Sequence, residues 1–200
     1  MNNESFREIL ACDKVVFNQY VKTFRSKRLL KLTDDHVFQI RKYILYLRYS
    51  QYYKNCFEQG NVLSIFPYVF CARRMNKLGN KLGFYISTSA RIGKGFWIYH
   101  HGCVIINGNA SIGDYCRLHG SNCIGNRSMH SDKAPTIGNN CDIGFGATLI
   151  GDIYVADNVV VGANSVVNKS CVESNVVLAG VPADIKKRKS DKTEYNCSRL

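Results

Sequence analysis

The sequence has few prolines and no apolar run long enough to cross a membrane, and these absences narrow the class of protein. Three prolines among 200 residues and a hydrophobic share of 46% are typical of a folded chain rather than a disordered one. The apolar segment 62–72 contains Pro67 and is shorter than the roughly 18 residues that a membrane-spanning helix needs. Residues 1–14 mix both charge signs and lack the apolar core of a secretory signal. We therefore expect a cytoplasmic protein.

Motifs that would place the chain in several common classes are also missing. The nine cysteines are an odd number and include no C-x-x-C pair, which argues against a disulfide framework. We expect them to be small buried hydrophobic residues in a reducing compartment. Zinc-finger spacing, RNA-binding aromatic motifs and basic leucine-zipper patterns are absent, so nucleic acid is not expected as a partner.

The net charge of +12 is concentrated at the two ends of the chain. Residues 1–85 contain 15 basic and 6 acidic residues, 86–185 contain 6 and 7, and 186–200 contain 6 and 2. Such basic flanks can meet anionic lipid, an anionic glycan or a phosphorylated cofactor. One hypothesis is that the basic, tyrosine-rich N-terminal region lies at the inner face of an anionic membrane.

From residue 86 an aliphatic residue recurs in a frame of six. The frame positions are 86, 92, 98, 104, 112, 118, 124, 137, 143, 149, 155, 161 and 167. Six of the thirteen residues that follow them are glycine, which tolerates positive φ where a chain turns a corner. This period is the hexapeptide signature of a parallel β-helix, in which three short strands form each coil and the leading aliphatic points inward. An ordinary β-sandwich would not hold the frame.

Two interruptions break the frame. It slips by two residues between 104 and 112, and it gains seven between 124 and 137, where a polar loop is inserted. A long loop on a rigid solenoid is a common place for function. After the repeat, Gly180 and Pro182 end the coil and a basic tail begins.

The chain before residue 86 lacks the repeat and spaces its apolar residues for helices. We predict helices at roughly 4–24, 34–58 and 63–82, with Thr33 or Asp34 as the N-cap of the second. The predicted organisation is an α-helical region at 1–85, a β-helix domain at 86–185 and a basic tail at 186–200.

Three quoted segments carry a resemblance to a known family: "IGKGFWIYHHGCVIINGNASIGDYCRLH", "SDKAPTIGNNCDIGFGATLIGDI" and the ending "LAGVPA". In this order they resemble the hexapeptide-repeat acyltransferases, and within them the serine O-acetyltransferase branch. The same order is similar to that of O-acetyltransferases that modify capsular and other surface polysaccharides. The resemblance covers about 86–188 and implies a mainly β fold, a left-handed parallel β-helix, with a helical N-terminal region. It also implies a homotrimer that holds acetyl-CoA between neighbouring β-helices, while further pairing of trimers stays open.

The family's reaction needs a histidine as general base, because a hydroxyl is a poor nucleophile at neutral pH. Aligning the family segment that follows the base with Cys103–Asn107 assigns the base to His100. His101 as base, and a structural role for both histidines, remain alternatives. His119 is expected to be a corner hydrogen-bonding residue or groove wall, and His36 a structural residue of the helical region.

A zinc site is a further alternative for the histidines. Hexapeptide-repeat carbonic anhydrases hold zinc with three histidines, and the candidates here are His100, His101, His119 and His130. The other catalytic residues of that family have no match in this sequence. We therefore predict no metal.

Two departures from the serine enzymes affect the acceptor. Their Asp-x-His before the base corresponds to Tyr85-Ile86-Ser87, and their Asp-Arg-His-Pro loop reads Asp132-Lys133-Ala134-Pro135. A lysine lacks the bidentate fork with which arginine binds a carboxylate. These departures weaken serine as the expected acceptor and favour a sugar hydroxyl at least equally, with Asp132, Lys133 and His119 as candidate substrate-binding residues. His130 is either a solvated loop residue or a substrate contact.

The resemblance also implies the residues that hold acetyl-CoA. Backbone amides of the later coils would bind the pantetheine arm, near Gly144, Phe145, Gly146, Ala163, Ala179 and Gly180. Lys186 and Lys187 could pair with the phosphates of CoA, or belong to a solubilising tail.

Three functions follow in order of preference. The first is acetyl-CoA-dependent O-acetylation of a sugar or surface-polysaccharide hydroxyl. The second is L-serine O-acetylation, as in cysteine biosynthesis. The third is a non-catalytic trimeric β-helix scaffold.

Overall fold

Three α-helices form the N-terminal region of the computed structural model, which describes residues 3–22, 32–33, 35–128 and 131–189. They are α1 (Asn3–Lys22), α2 (His36–Glu58) and α3 (Ile65–Leu82), and a 3-10 turn at Val62–Ser64 precedes α3. The predicted helical region is therefore confirmed, although residues 23–24 of the first predicted helix lie outside the described residues. None of the helices in the described ranges is long and apolar enough to cross a membrane.

The N-cap of α2 is Asp35, whose Oδ1 accepts a hydrogen bond of 3.0 Å from the backbone N–H of Val37. This carboxylate satisfies one of the free amides at the start of the helix. The prediction of Thr33 as N-cap is wrong, because the helix begins three residues later. Asp34, the other predicted cap, lies outside the described residues.

Fifteen short strands wind into a solenoid of five coils with three faces. Sheet 1 contains β1 (Phe84–Ile86), β4 (Val104–Ile106), β7 (Cys123–Gly125), β10 (Thr148–Ile150) and β13 (Val166–Val167). Sheet 2 contains β2 (Arg91–Ile92), β5 (Ser111–Ile112), β8 (Thr136–Ile137) and β11 (Tyr154–Val155). Sheet 3 contains β3 (Trp97–Ile98), β6 (Arg117–Leu118), β9 (Asp142–Ile143), β12 (Val160–Val161), β14 (Val176–Gly180) and β15 (Ala183–Arg188). The predicted parallel β-solenoid is confirmed.

The last strand closes the solenoid with a change of direction. Strand β15 pairs antiparallel with β14, whereas every other pairing between the described strands is parallel. Strand β15 runs from Ala183 to Arg188 and therefore includes the first residues of the basic tail predicted to begin at 186. Lys186 and Lys187 therefore lie on a strand at the end of sheet 3.

The inward aliphatic residues stack along the solenoid axis, but the two-residue slip lies elsewhere than predicted. Ile106 pairs in register with Ile86 and Ile124, whereas Val104 pairs with Phe84. The frame therefore runs from Ile98 to Ile106, and the placement of the slip between 104 and 112 is wrong. The two extra residues widen the corner that contains both histidines.

Contact with the helical region explains why this corner is wider. The backbone N–H of Gly102 donates to the Leu82 carbonyl at 2.9 Å, and that of Val104 donates to the Gly83 carbonyl at 3.0 Å. The corner therefore pairs with the end of α3 and with the residue after it.

None of the six glycines after the inward aliphatics has positive φ, and most of them allow close packing between coils. Positive φ occurs instead at other residues, including Gly95, Asn140 and Asn158. A Cβ on Gly113 would lie 2.7 Å from the carbonyl carbon of Gly138 in the next coil. The expectation that these glycines provide positive φ is therefore wrong, and at most of the six positions the next coil leaves no room for a side chain.

A buried ion pair attaches the helices to the first coil. Arg48 of α2 is 2% exposed, and its Nε lies 2.9 Å from Oδ2 of Asp13 in α1. The Arg48 guanidinium also donates to the carbonyls of Ile92 at 2.6 Å and Gly93 at 2.5 Å. Asp13 Oδ1 accepts a hydrogen bond of 2.8 Å from Gly95 N–H. Burial raises the pKa of the Asp13 carboxyl, while Arg48 opposes that rise.

The cysteines only partly follow the expectation that they are buried. Five of the eight in the described ranges are buried, all eight are free thiols, and Cys103 is exposed. Cys103 lies in the widened corner beside the histidines, where the chain faces solvent.

Candidate active site

One edge of the solenoid collects most of the candidate residues. Here sheet 3 passes into sheet 1 through residues 99–103, 119–122, 144–147 and 162–165, which we call the histidine edge. Neighbouring coils are stacked about 4.8 Å apart, as in any β-ladder. Residues from distant parts of the sequence therefore stand in a column.

His100 and His101 are both exposed at the top of the histidine edge, as the frame predicted. His36, the first residue of α2, lies beside them. Its ring centroid is 6.2 Å from that of His100 in a near-parallel arrangement, and 5.6 Å from that of His101 in an edge-on arrangement. Asp35 in turn holds His36, with Oδ1 lying 3.3 Å from Nδ1. His36 is therefore part of the site.

The surroundings of His100 favour its neutral form. Partial burial lowers the pKa of His100, and the nearby imidazoles of His36, His119 and His101 lower it further. A neutral imidazole at neutral pH can accept a proton, so His100 has the protonation state that a general base needs. No hydrogen bond to its ring is found among the described residues, and the ring of His36 lies near-parallel to it.

One coil further along, His119 has a carboxylate partner. Its Nε2 lies 2.7 Å from Oδ1 of Asp142, and the other oxygen of Asp142 lies 3.5 Å from Nη2 of Arg117. The ring of Tyr99 packs against His119 with centroids 4.8 Å apart. We expect His119 to be a hydrogen-bonding corner residue or part of the groove wall, and that role stays a prediction. Sequence reasoning missed Asp142, although Arg117 and Asp142 are register partners on adjacent strands.

Next to this pair, α1 covers sheet 3 and leaves an aromatic cavity of about 190 Å³. Its lining is Val16, Gln19, Tyr20, Gly95, Trp97, Tyr99, Tyr115 and Arg117. Trp97 is 2% exposed, and its indole N–H has no hydrogen-bond partner among the residues that the structure describes. Tyr99 belongs both to the cavity wall and to the contact with His119. The cavity thus combines aromatic faces with a few polar groups, which is the usual composition of a ligand pocket.

The polar loop lies at another edge, where sheet 1 passes into sheet 2. Lys133 Nζ lies 2.5 Å from Oδ2 of Asp152, and the Asp132 carbonyl accepts a hydrogen bond of 2.7 Å from Asn109 Nδ2. A single chain therefore does not bring Asp132 and Lys133 to His100. His130, the loop histidine, lies outside the described residues.

The residues suggested for acetyl-CoA continue the column below the histidines. Gly144, Phe145, Gly146 and Ala163 lie on the histidine edge, and Ala179 and Gly180 end strand β14 beside it. Ala163 and Gly180 are exposed, and Phe145 is exposed beside Gly120, where a Cβ would lie 3.4 Å from Phe145 Cδ2. From His100 to Gly180 the column spans four coil steps, or about 19 Å. The exposed Lys186 and Lys187 lie on β15, where Lys187 is the register partner of Val177, so they lie across sheet 3 from the end of the column at Gly180.

The zinc alternative needs at least three ligands in one group. Across residues 3–22, 32–33, 35–128 and 131–189, no three His, Cys, Asp or Glu side chains are grouped closely enough to hold a metal ion. His100, His101 and His119, the described histidines of the zinc alternative, thus share one edge without forming a set of metal ligands.

Comparison with known proteins gives several relatives, while no family model matches the chain. Over 114 residues, 56% of this chain and 67% of the relative, it is 34% identical to the serine acetyltransferase of Helicobacter pylori strain 26695. The chain is 36% identical to the serine acetyltransferase of Synechococcus elongatus over 104 residues, which are 52% of this chain and 42% of the relative. The chain is 38% identical to WcaB of Escherichia coli K12 over 104 residues, which are 52% of this chain and 64% of the relative. The name of that relative is "putative colanic acid biosynthesis acetyltransferase".

The solved structures that resemble the chain cover nearly all of it. The serine acetyltransferase of Brucella abortus strain S19, crystallised in complex with coenzyme A, superposes with a TM-score of 0.75. The superposition covers 95% of this chain and 71% of that chain, at 23% sequence identity. The shared fold therefore includes the helical region as well as the solenoid. The aligned sequence segments span from 42% to 67% of the length of the three relatives above.

Proposed function

This chain belongs to the hexapeptide-repeat acyltransferases, in the branch that includes the serine acetyltransferases, and we propose that it acetylates a hydroxyl of a sugar or surface polysaccharide. The acetyl donor in this proposal is acetyl-CoA. The solenoid of the proposed enzyme winds left-handed, as the resemblance implies.

The aromatic cavity beside His119 is the observation that carries the sugar proposal. The apolar C–H face of a sugar ring packs on aromatic rings such as Tyr99 and Tyr115, while its hydroxyls need polar partners. Arg117, Gln19 and the indole N–H of Trp97 offer such partners around the cavity. A serine molecule is small and has little apolar surface for these rings.

The state of Lys133 also supports a sugar rather than serine. In the serine enzymes the corresponding loop holds the amino acid's carboxylate, as the resemblance implies. Here Lys133 contacts the carboxylate of Asp152, which already balances its charge. Replacing arginine by lysine also removes bidentate recognition of a carboxylate.

In the proposed mechanism, His100 accepts the proton of the acceptor hydroxyl as that oxygen attacks the thioester carbonyl carbon. The carbon–sulfur bond then breaks, and His100 returns the proton to the sulfur, so that the thiol leaves and the acetyl ester remains. The backbone at Gly144, Phe145, Gly146, Ala163, Ala179 and Gly180 would hold the pantetheine arm. Lys186 and Lys187 would pair with the phosphates.

A homotrimer completes the proposed site. Asp132 and Lys133 lie at a different edge of the chain from His100, so their proposed contact with the acceptor requires the loop of a neighbouring copy. Chemical crosslinking or light scattering of the purified protein tests this, and a monomeric active enzyme would contradict the assigned role of both loop residues.

L-serine O-acetylation is the second candidate, because the Helicobacter pylori relative of which this chain covers 67% bears that name. The two functions separate in an assay of CoA release with a thiol reagent. Purified protein receives acetyl-CoA and either L-serine or a panel of monosaccharides and capsular oligosaccharides. Release with a sugar and none with L-serine supports the proposal, whereas rapid release with L-serine alone contradicts it.

The scaffold alternative needs a separate measurement. A scaffold releases no CoA with any acceptor, and acetyl-CoA does not raise its melting temperature. The control for both assays is His100→Ala, which should bind acetyl-CoA but lose most of the turnover.

A further inference from the structure

Helix α3 has two apolar faces, one buried against the rest of the protein and one exposed. Cys71, Met75 and Leu82 are buried on the side that faces the rest of the protein. Phe66 and Phe70 are 72% and 55% exposed, and at 100° per residue they lie opposite the buried stripe. A surface helix of a globular protein normally buries its one apolar stripe and leaves the opposite face polar.

The exposed face is extended by the turn before α3. Val62 and Leu63 are 68% and 75% exposed there, and Val69 is also exposed. We call Val62, Leu63, Phe66, Val69 and Phe70 the apolar tip. Single exposed apolar residues are common, but five within nine positions form a patch that usually marks an interaction site.

Basic residues follow the apolar tip on the same side of the helix. Arg73 and Lys77 continue the stripe of Phe66 and Phe70, and the Arg74 guanidinium lies 5.4 Å from the centroid of the Phe70 ring. All three basic side chains are exposed. Aromatic and aliphatic residues next to Arg and Lys are the composition of segments that lie in a membrane interface.

Position also suits a membrane contact. The helix has 18 residues and is therefore about 27 Å long. Its C-terminal end lies at the histidine edge, where the Gly102 N–H donates to the Leu82 carbonyl, so the apolar tip lies at the opposite end of the helix. Contact through this tip would leave the histidine edge accessible.

We propose that the apolar tip inserts shallowly into an anionic phospholipid bilayer, with Arg73, Arg74 and Lys77 at the level of the lipid headgroups. Charge decides between a bilayer and a second copy of the chain. Two tips facing each other would bring six like charges together, whereas anionic headgroups neutralise them. This inference does not depend on the identity of the acetyl acceptor.

Vesicle flotation of the full chain tests the proposal. The protein should float with vesicles that contain phosphatidylglycerol, much less with pure phosphatidylcholine, and less as salt is raised. Phe66→Ser/Phe70→Ser should lower binding to the anionic vesicles at least tenfold, and Arg73→Gln/Lys77→Gln should lower it several-fold. The matched controls are Val172→Ser, an 80% exposed valine on the last coil, and Arg91→Gln/Lys169→Gln on the solenoid; both should bind like the parent.

Three outcomes would overturn the proposal. The parent protein stays unbound with anionic vesicles, or it binds neutral vesicles equally well and Arg73→Gln/Lys77→Gln changes nothing. In the third outcome, no vesicle binds the protein, and light scattering shows a larger assembly that Phe66→Ser/Phe70→Ser dissociates. The apolar tip would then join copies of the chain instead of binding a bilayer. An unchanged circular dichroism spectrum and melting temperature of each variant separates loss of binding from loss of fold.

Discussion

The imidazole Nε2 of His119 lies 2.7 Å from Oδ1 of Asp142, so the carboxylate fixes the orientation of this ring. His100, one coil away, has no such partner among the described side chains and contacts the ring of His36 instead. His100 and His119 therefore have different surroundings. We propose that His100 transfers the proton and that His119 binds the acceptor.

Substitutions at these positions separate the two roles. His100→Ala should lower kcat by about 10²–10⁴-fold, the usual contribution of a general base. Asp142→Asn should raise KM for the acceptor and change kcat by less than about tenfold, because it loosens a binding residue. Steady-state kinetics with varied acceptor measures both. If Asp142→Asn lowers kcat as much as His100→Ala does, the base is His119.

The pH dependence follows from the lowered pKa of His100. Burial lowers this pKa, and His36, His119 and His101 lower it further, so the neutral base persists below the ordinary imidazole value of 6.5. Activity should therefore be lost only as the pH falls below 6.5. His36→Phe keeps a ring beside His100 but removes the imidazole that lowers the pKa of His100, so that pKa should rise and the acid limb of kcat should move to higher pH. An acid limb that stays in place would remove His36 from the site.

The aromatic cavity predicts a defect specific to the acceptor. Tyr99→Leu removes a ring from the cavity wall and should raise KM for the sugar about tenfold, while KM for acetyl-CoA stays within about twofold. Tyr154→Leu, at an exposed tyrosine of sheet 2, is the matched control and should behave like the parent. Equal effects of Tyr99→Leu on both substrates would argue against a sugar in this cavity.

The buried Arg48 should be a main source of stability for the helical region. Arg48→Ala leaves the Asp13 carboxylate buried without its partner and frees the Ile92 and Gly93 carbonyls, so unfolding should become easier by about 3–5 kcal/mol. Urea denaturation measures this free energy. Arg188→Ala removes an exposed ion pair with Glu173 and should change the midpoint little. Similar effects of the two substitutions would contradict the role of the buried pair.

Alanine substitutions at two glycines in equivalent repeat positions should have different effects on stability. A Cβ on Gly113 would meet the backbone of Gly138 at 2.7 Å, whereas a Cβ on Gly125 would find only Cys123 Sγ at 3.9 Å. Gly113→Ala should therefore destabilise the solenoid by about 1–3 kcal/mol through overpacking. Gly125→Ala should be neutral or slightly stabilising, because it restricts the unfolded chain. Thermal unfolding compares them, and equal losses would refute the packing explanation.

Much of the fold was predictable because a β-solenoid repeats a local rule. Each coil needs an inward aliphatic at fixed spacing, so the frame from Ile86 to Val167 already predicts the strands. The error was local: Val104 and Ile106 are both aliphatic and both buried, so the frame alone could not tell which one stacks on Ile86. The pairing of the widened corner with Leu82 and Gly83 decided it.

The site was less predictable, since its contacts join residues far apart in the chain. His36 follows a helix cap in the helical region and carries no signal that it meets His100, 64 positions later. Asp142 is an ordinary outward residue of a strand until the stacking of coils places it against His119. The charge balance of Lys133 likewise depends on Asp152 in the following coil.

By itself, the sequence determined the solenoid, the helical region before it and the family's histidine segment, because periodicity and motif order are written along the chain. Only the tertiary structure decided which side chain faces which: His36 beside His100, Asp142 against His119, and an apolar tip that no other described element covers. Those relationships depend on how coils stack and how the helices dock. Neither is encoded by the spacing of residues within one repeat.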